Sequence, residues 1–205
     1  NTLPHGAHPV WPHAGEPASA FVARQSLQHD LVWGVAPETG GMLARLQRAV
    51  GDARWLGCSA AAIALAGSKS ATLQRLAAHG VQTPLAFATS PDIRRWVVKP
   101  DDGAGALDTC VHARLCDARE DQVRRHRAAA SATLEPWIEG EALSLSLLAA
   151  PPHAELLSIT RQHIALDPHG TLSYGGVHVA AVRHDDARWQ VLAGLATQVT
   201  RAVPG

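Results

Sequence analysis

Trp96-Val97-Val98-Lys99-Pro100-Asp101-Asp102-Gly103-Ala104-Gly105-Ala106 is the stretch on which the reading of this chain turns. An apolar run of strand character ends on a lysine. Proline, which lacks an amide donor, stops it, and a loop with two glycines follows. The lysine is the informative residue. Only Lys69 and Lys99 occur in 205 residues, against sixteen arginines, so arginine is the default cation of this chain. A lysine presents a compact ammonium where arginine presents a wide planar fork. Two such point charges near a glycine-containing loop suit a phosphate held in a narrow cleft.

Outward from that stretch, Ser68 is placed to cap a helix that opens on Lys69 and closes at Gly80. Strands are predicted at residues 85–88 and 94–99, and an amphipathic helix at 117–130. From Thr133 onward the pattern turns to strands, at 133–138, 142–149, 154–160, 162–166 and 171–182, with a last helix at 187–202. Upstream, Leu31-Val32-Trp33-Gly34-Val35-Ala36 reads as a buried parallel strand. The loop Pro37-Glu38-Thr39-Gly40-Gly41 and a helix carrying Leu43, Leu46, Ala49 and Val50 follow it. Ser59 caps an alanine-rich helix to Ala66, and residues 1–20 form an irregular lead-in. The expected class is α/β with α+β lobes. Its segments are 1–66, a partial α/β unit of strand–loop–helix type; 67–133, a small strand–helix lobe; and 134–205, a mainly antiparallel lobe. A small-molecule site is expected where the lobes join, near residues 131–140.

Composition excludes several classes. Formal net charge is zero, and the densest basic stretch, Arg119 to Arg127, contains Glu120 and Asp121. Nucleic-acid binding needs a basic patch or stripe, so no nucleic-acid partner is expected. No apolar run reaches the ~20 residues of a membrane span. Three cysteines, without a Cys-x-x-Cys pair, fit a reduced cytoplasmic setting. His5, His8 and His13 are candidate metal ligands, but no helical His-x-x-x-His fixes their geometry. Met42 is the only methionine, so the expectation is a piece of a longer protein.

The ordered set of Lys69, then Val97-Val98-Lys99-Pro100 with its glycine loop, then Leu134-Glu135-Pro136-Trp137-Ile138-Glu139-Gly140-Glu141 resembles the ATP-grasp superfamily of carboxylate–amine ligases. That resemblance covers roughly residues 30–205 and implies two lobes clasping a nucleotide, preceded by a pre-ATP-grasp segment. It implies ATP and Mg²⁺ as cofactors, small-molecule carboxylate and amine substrates, and a possible pairing into homodimers. The reaction would pass through an acyl phosphate. By the same resemblance Lys99 and Lys69 reach the nucleotide, and Asp102, Gly103 and Gly105 belong to its phosphate loop. Glu135 accepts the adenine amino proton, and backbone around Trp137 and Ile138 reads the adenine edge; Trp137 could equally be core. Many members carry Gly-x-Glu after the hinge, whereas here Glu141 directly follows Gly140. Either Glu139 or Glu141 could face ribose, with Glu141 ranked first. The metal-binding strands are expected beyond Gly205, so the metal ligands are unknown. A catalytically silent nucleotide-binding or interaction module of the same fold is the alternative.

A narrower resemblance rests on Ala36-Pro37-Glu38-Thr39-Gly40-Gly41, Trp55-Leu56-Gly57-Cys58-Ser59 and Leu157-Ser158-Ile159-Thr160-Arg161-Gln162-His163-Ile164. These are similar to the branch containing tyramine–glutamate ligase of methanofuran biosynthesis. It implies glutamyl transfer to an amine, with Arg161 as a catalytic cation at an oxyanion and Gln162 beside it; a plain strand-surface pair fits Arg161 and Gln162 as well. Glu38 and Tyr174 are further candidate substrate contacts.

Overall fold

The computed structural model describes residues 6–37, 39–150 and 153–203. Its helices are α1 (Ala18–Ser26), α2 (Met42–Val50), α3 (Ala60–Ala66), α4 (Lys69–Ala78), α5 (Leu115–Arg127) and α6 (Ala187–Ala202). Its strands are β1 (Trp96–Pro100), β2 (Cys110–His112), β3 (Ala132–Pro136), β4 (Leu143–Ala150), β5 (His153–Leu166) and β6 (Leu172–His178). Two antiparallel three-stranded sheets result, ordered β2-β1-β3 and β4-β5-β6.

In the first sheet the two-residue period of a strand sorts the side chains. Val98 and Ala132 are buried against Ala118 of α5, with Trp96 and Leu134 packed beside them. Val97, Lys99 and Glu135 turn to the opposite face and line a cleft. In the second sheet Leu156 and Ile159 form a core with Val182 and Trp189, the last from α6. The sheets join where β2 meets the start of β6: Val111 N–H donates to Gly170 O at 2.7 Å, and Leu172 N–H to Thr109 O at 2.9 Å. At α6 the other end is tied to α4, since Arg75 Nε donates to Ala202 O at 2.7 Å.

The caps form as the sequence predicts. Ser59 accepts from Ala62 N–H and Ser68 from Ala71 N–H, while Gly80 takes the left-handed φ of +76° that a helix C′ residue favours.

Several expectations are corrected. Residues 31–36 do not form a buried parallel strand: a single parallel bridge joins Val32 to Trp55, and Leu31, Trp33 and Val35 face solvent. A parallel strand is buried by neighbours on both faces, whereas pairing here is limited, among the described residues, to that one bridge. Residues 85–88 are not a strand, because Pro84 opens a 3₁₀ turn over Pro84–Phe87; its locked φ suits the first helical position. The strands expected at 154–160 and 162–166 are one, β5, because Arg161 pairs with both Leu143 and His178. Helix α1 begins inside the expected lead-in, and β2, too short to carry a period, is absent from the predicted elements.

Candidate functional site

Between the two sheets lies a cleft of about 800 Å³, within the range of small-molecule pockets. On its floor, Val97 of β1 stands opposite Glu135 of β3, with Lys99 one same-face step along. Lys99 Nζ donates to Glu135 Oε2 at 3.0 Å. The nitrogen also stands 2.9 Å from Oε1, but off the direction a hydrogen bond needs, so this buried oxygen keeps an open acceptor site. Glu135 is 3% exposed. A carboxylate this buried needs its cation, and breaking such a pair costs far more than the intact pair contributes.

Above the floor the chain leaves β1 into a strained loop. Gly103, Gly105, Ala106 and Asp108 have φ of +82°, +75°, +62° and +50°. Left-handed backbone is routine for glycine and costs a side-chain-bearing residue roughly 1–2 kcal/mol; such strain gathers at ligand clamps. The loop is held from both sides. Asp101 accepts from Ser68 Oγ at 2.6 Å, Ser70 N–H at 2.8 Å and Thr133 Oγ1 at 2.8 Å. Burial pushes its carboxyl up, but these bonds outweigh burial and hold the pKa at about 2. Asp102 Oδ2 accepts from Gly40 N–H at 3.1 Å. Lys69 Nζ donates to three loop carbonyls, those of Asp101, Asp102 and Gly103. Burial lowers the Lys69 pKa, as does the Lys99 charge, while Asp101, Asp102 and Glu135 pull the other way.

At the hinge, Trp137 N–H donates to Arg95 O, and the Arg95 guanidinium lies 5.4 Å from the centre of the Trp137 ring. Arg95 also pairs with Glu139, and that bond chiefly holds the Glu139 pKa below the usual carboxylate range. Beyond Gly140, Glu141 is shared between Arg161 and Arg188, and Arg188 is bound in turn to Asp186, the N-cap of α6.

The structure thus brings Lys69, Lys99, Asp102, Gly103, Gly105, Glu135, Trp137, Ile138, Gln162 and Tyr174 to one cleft. Arg161 and Glu141 are not among its lining residues and bind each other instead. Both acids ranked for ribose, Glu139 and Glu141, are engaged by arginines. Glu38 and His5 lie outside the described residues. Sequence reading assigns no site role to Asp101, Thr133, Thr39 or Gly40 individually, because their partners lie 30 or more residues away.

The metal ligands are expected beyond Gly205, and the described residues themselves offer Mg²⁺ little. Mg²⁺ takes hard oxygen ligands in octahedral geometry. Among the described residues the only group of three or more metal-ligating side chains is Cys110, His112 and Asp121. Asp121 is already taken by His112, Arg124 and Arg125, and two guanidinium charges oppose a further cation. In the cleft, Glu135 is held by Lys99 and Asp102 by Gly40. These residues do not fit Mg²⁺.

No helix among the described residues is long and apolar enough to cross a membrane. Comparison with known proteins is decisive for the family. A pre ATP-grasp 3 domain family model matches residues 1–63, and an ATP-grasp domain family model matches residues 66–205. No curated protein matches the chain. Among solved structures, an ATP-grasp superfamily protein from Archaeoglobus fulgidus is similar at 23% identity and a TM-score of 0.63, over 89% of this chain and 52% of that one. L-amino acid ligase from Bacillus licheniformis is similar at 16% identity and a TM-score of 0.65, over 91% and 48%. D-alanine–D-alanine ligase from Bacillus anthracis is similar at 13% identity and a TM-score of 0.63, over 89% and 64%. The chain therefore spans about half to two thirds of the length of these neighbours. With both lobes, the glycine loop and more than half of the sequence matching one family model, this chain belongs to the ATP-grasp family.

Proposed function

We propose that the cleft binds an adenine nucleotide and that the chain is the nucleotide-holding part of an ATP-dependent carboxylate–amine ligase. The observation that carries this reading is the pair of half-buried Lys99 and buried Glu135 on adjacent strands, facing a cleft roofed by a glycine loop. Glu135 Oε1 has an open acceptor site for the adenine amino group, and the main chain at Trp137 and Ile138 borders the place where the ring would lie. Lys99 and the loop amides supply positive charge for phosphate oxygens. Similarity to the two ligases supports the reaction class. In it, a carboxylate oxygen attacks the γ-phosphorus of ATP and ADP leaves, giving an acyl phosphate. The amine nitrogen then attacks the acyl carbon, loses a proton and expels phosphate.

Which acid and which amine react is a finer matter. Gln162 and Tyr174 reach the cleft from the second sheet and are the candidate substrate contacts here. Arg161, bound to Glu141 from the central strand of the same sheet, would have to change partner to meet an oxyanion. Glutamyl transfer in methanofuran-type cofactor synthesis rests on the sequence resemblance alone.

Titration calorimetry with ADP and ATP tests the reading. Measurable ADP binding is expected, and Lys99→Ala should weaken it by about tenfold to hundredfold, the effect of losing a hydrogen bond to a charged group. Undiminished affinity in a folded Lys99→Ala protein would remove Lys99 from the site. A second reading is a nucleotide-binding module without catalysis. ADP binding without ATP turnover over a panel of amino acids would select it.

A further inference from the structure

Arg95 is the residue before β1 and Trp137 the residue after β3, and together they extend the ladder by one rung. Trp137 N–H donates to Arg95 O at 3.0 Å. Past that rung the main chain loses its partners. Among the described residues, Ile138, Glu139, Gly140 and Glu141 make no backbone–backbone hydrogen bond, and the next anchor is Ala142 O, which accepts from Gln162 N–H at 2.8 Å.

The side chain of Arg95 takes over in that gap. Its guanidinium lies 5.4 Å from the centre of the Trp137 ring and also donates to the Glu139 carboxylate. A planar guanidinium suits both tasks, because its face stacks on an indole while its edge donors meet a carboxylate. One group thus engages both neighbours of Ile138. Arg95 is not itself a lining residue of the cleft, whereas Trp137 and Ile138 are, so any effect it has on a ligand passes through them. The fold does not depend on the pair: the Arg95 side chain is 36% exposed and that of Glu139 73%, and ion pairs so exposed add little to stability. Their effect is local, on a segment whose backbone has no other hold.

What that segment offers the cleft is a donor. Ile138 N–H has no acceptor among the described residues, while Glu135 Oε1 has an open acceptor site. This combination sorts purines. Adenine carries an amino donor at C6 beside an acceptor at N1; guanine carries an oxygen at C6 beside an N1–H donor. Adenine therefore satisfies both protein groups. Guanine sets its oxygen against the carboxylate and its N–H against an N–H, and a site whose polar groups are left unpaired rejects a ligand strongly. The sorting works only while the two protein groups keep their spacing. Glu135 is fixed within β3 and by Lys99. Ile138 is fixed only through its neighbours.

We propose that Arg95 is a positioning residue for purine selection, which holds Trp137 and Glu139 so that Ile138 N–H stays in register with the Glu135 carboxylate. The proposal rests on the nucleotide reading of the cleft. It gives Glu139 a place in a clamp on the hinge rather than at ribose.

Calorimetry with ADP and with GDP tests it on wild type, Arg95→Met, Arg95→Lys and Glu139→Ala. Wild type should bind ADP about a hundredfold or more tightly than GDP. Arg95→Met keeps an apolar stem over the indole and removes the guanidinium. Its ADP-to-GDP ratio should fall about fivefold to tenfold, the combined effect of a stack and an exposed ion pair, chiefly through lost ADP affinity. Arg95→Lys keeps the charge without the flat fork and should fall between the two. Glu139→Ala removes one of the two holds and should lower the ratio about twofold to threefold. Urea midpoints should move little in all three variants. Should Arg95→Met not fold, Glu139→Ala, at an exposed side chain, carries the decision.

Equal loss of ADP and GDP affinity, as a ribose contact by Glu139 or a merely structural Arg95 would give, leaves the ratio unchanged and overturns the proposal. Unaltered affinities in every variant overturn it too. Equal binding of ADP and GDP by wild type overturns it while the nucleotide reading stands. If wild type binds neither nucleotide, that reading fails and the proposal falls with it.

Discussion

Gly103 shows how single positions carry the site. Its φ of +82° belongs to glycine, and a Cβ there would press to 3.1 Å from Thr39 Oγ1. Gly105 has the same handedness, at φ +75°, but faces open space. Gly103→Ala should therefore lower stability by about 1–2 kcal/mol through the backbone alone, and also weaken ADP binding by shifting the loop off Thr39. Gly105→Ala should carry only the backbone cost. Urea titration and calorimetry on the two variants separate these effects; equal losses of ADP affinity would mean that the Thr39 contact has no role. Lys99 was legible at this scale because lysine is scarce here and because a proline and two glycines follow it. Asp101 was not. Its role comes from Ser68, Ser70 and Thr133, more than 30 residues away on either side, and no local pattern encodes that meeting.

Between elements, the junction of the two sheets rests on a glycine as well. Gly170 sits at φ +86° beneath β2, and a Cβ there would stand 2.2 Å from Val111 O, a backbone atom that cannot swing aside. Gly170→Ala should cost about 3 kcal/mol or more, combining overpacking with left-handed strain, and should appear as a lower urea midpoint. Ser68→Ala removes the cap of α4 and one bond to Asp101; about 1 kcal/mol is expected for the cap, measured the same way. Periodicity revealed β1, β3, β4, α5 and α6, since each is long enough to show its repeat. It failed at residues 85–88, where Pro84 wins over β-propensity. It failed again at Arg161, whose two cross-strand partners carry β5 straight through a predicted break.

Across the whole molecule, two carboxylates link stability to pH. Asp101 is held at about 2 by its hydroxyl and amide donors against burial, and Asp121 at about 2 by Arg125, Arg124 and His112 against burial. Both pKa values lie below the ordinary 3.8. The unfolded chain therefore binds protons first as pH falls. Their stabilisation is fully present above about pH 4 and is lost progressively as pH falls toward 2. Asp101→Asn and Asp121→Asn should each flatten this acid limb, as followed by urea unfolding at stepped pH. An unaltered limb in both variants would place the acid sensitivity elsewhere.

The strand alternation of Trp96 to Lys99, the capping serines and the order of lysine, glycine loop and hinge acid were all present in the residues, because each depends on neighbours within a turn or a strand. Which groups meet in the cleft was decided by packing alone. Two sheets joined at Gly170, and a helix tied by Asp101, bring segments 30 to 60 residues apart to within hydrogen-bond distance. Only that approach shows Lys99 facing a carboxylate and Lys69 facing the carbonyls of its own loop. Sequence puts one lysine at a helix start and the other at a strand end; the charge or dipole that folding brings against each ammonium is what separates their surroundings.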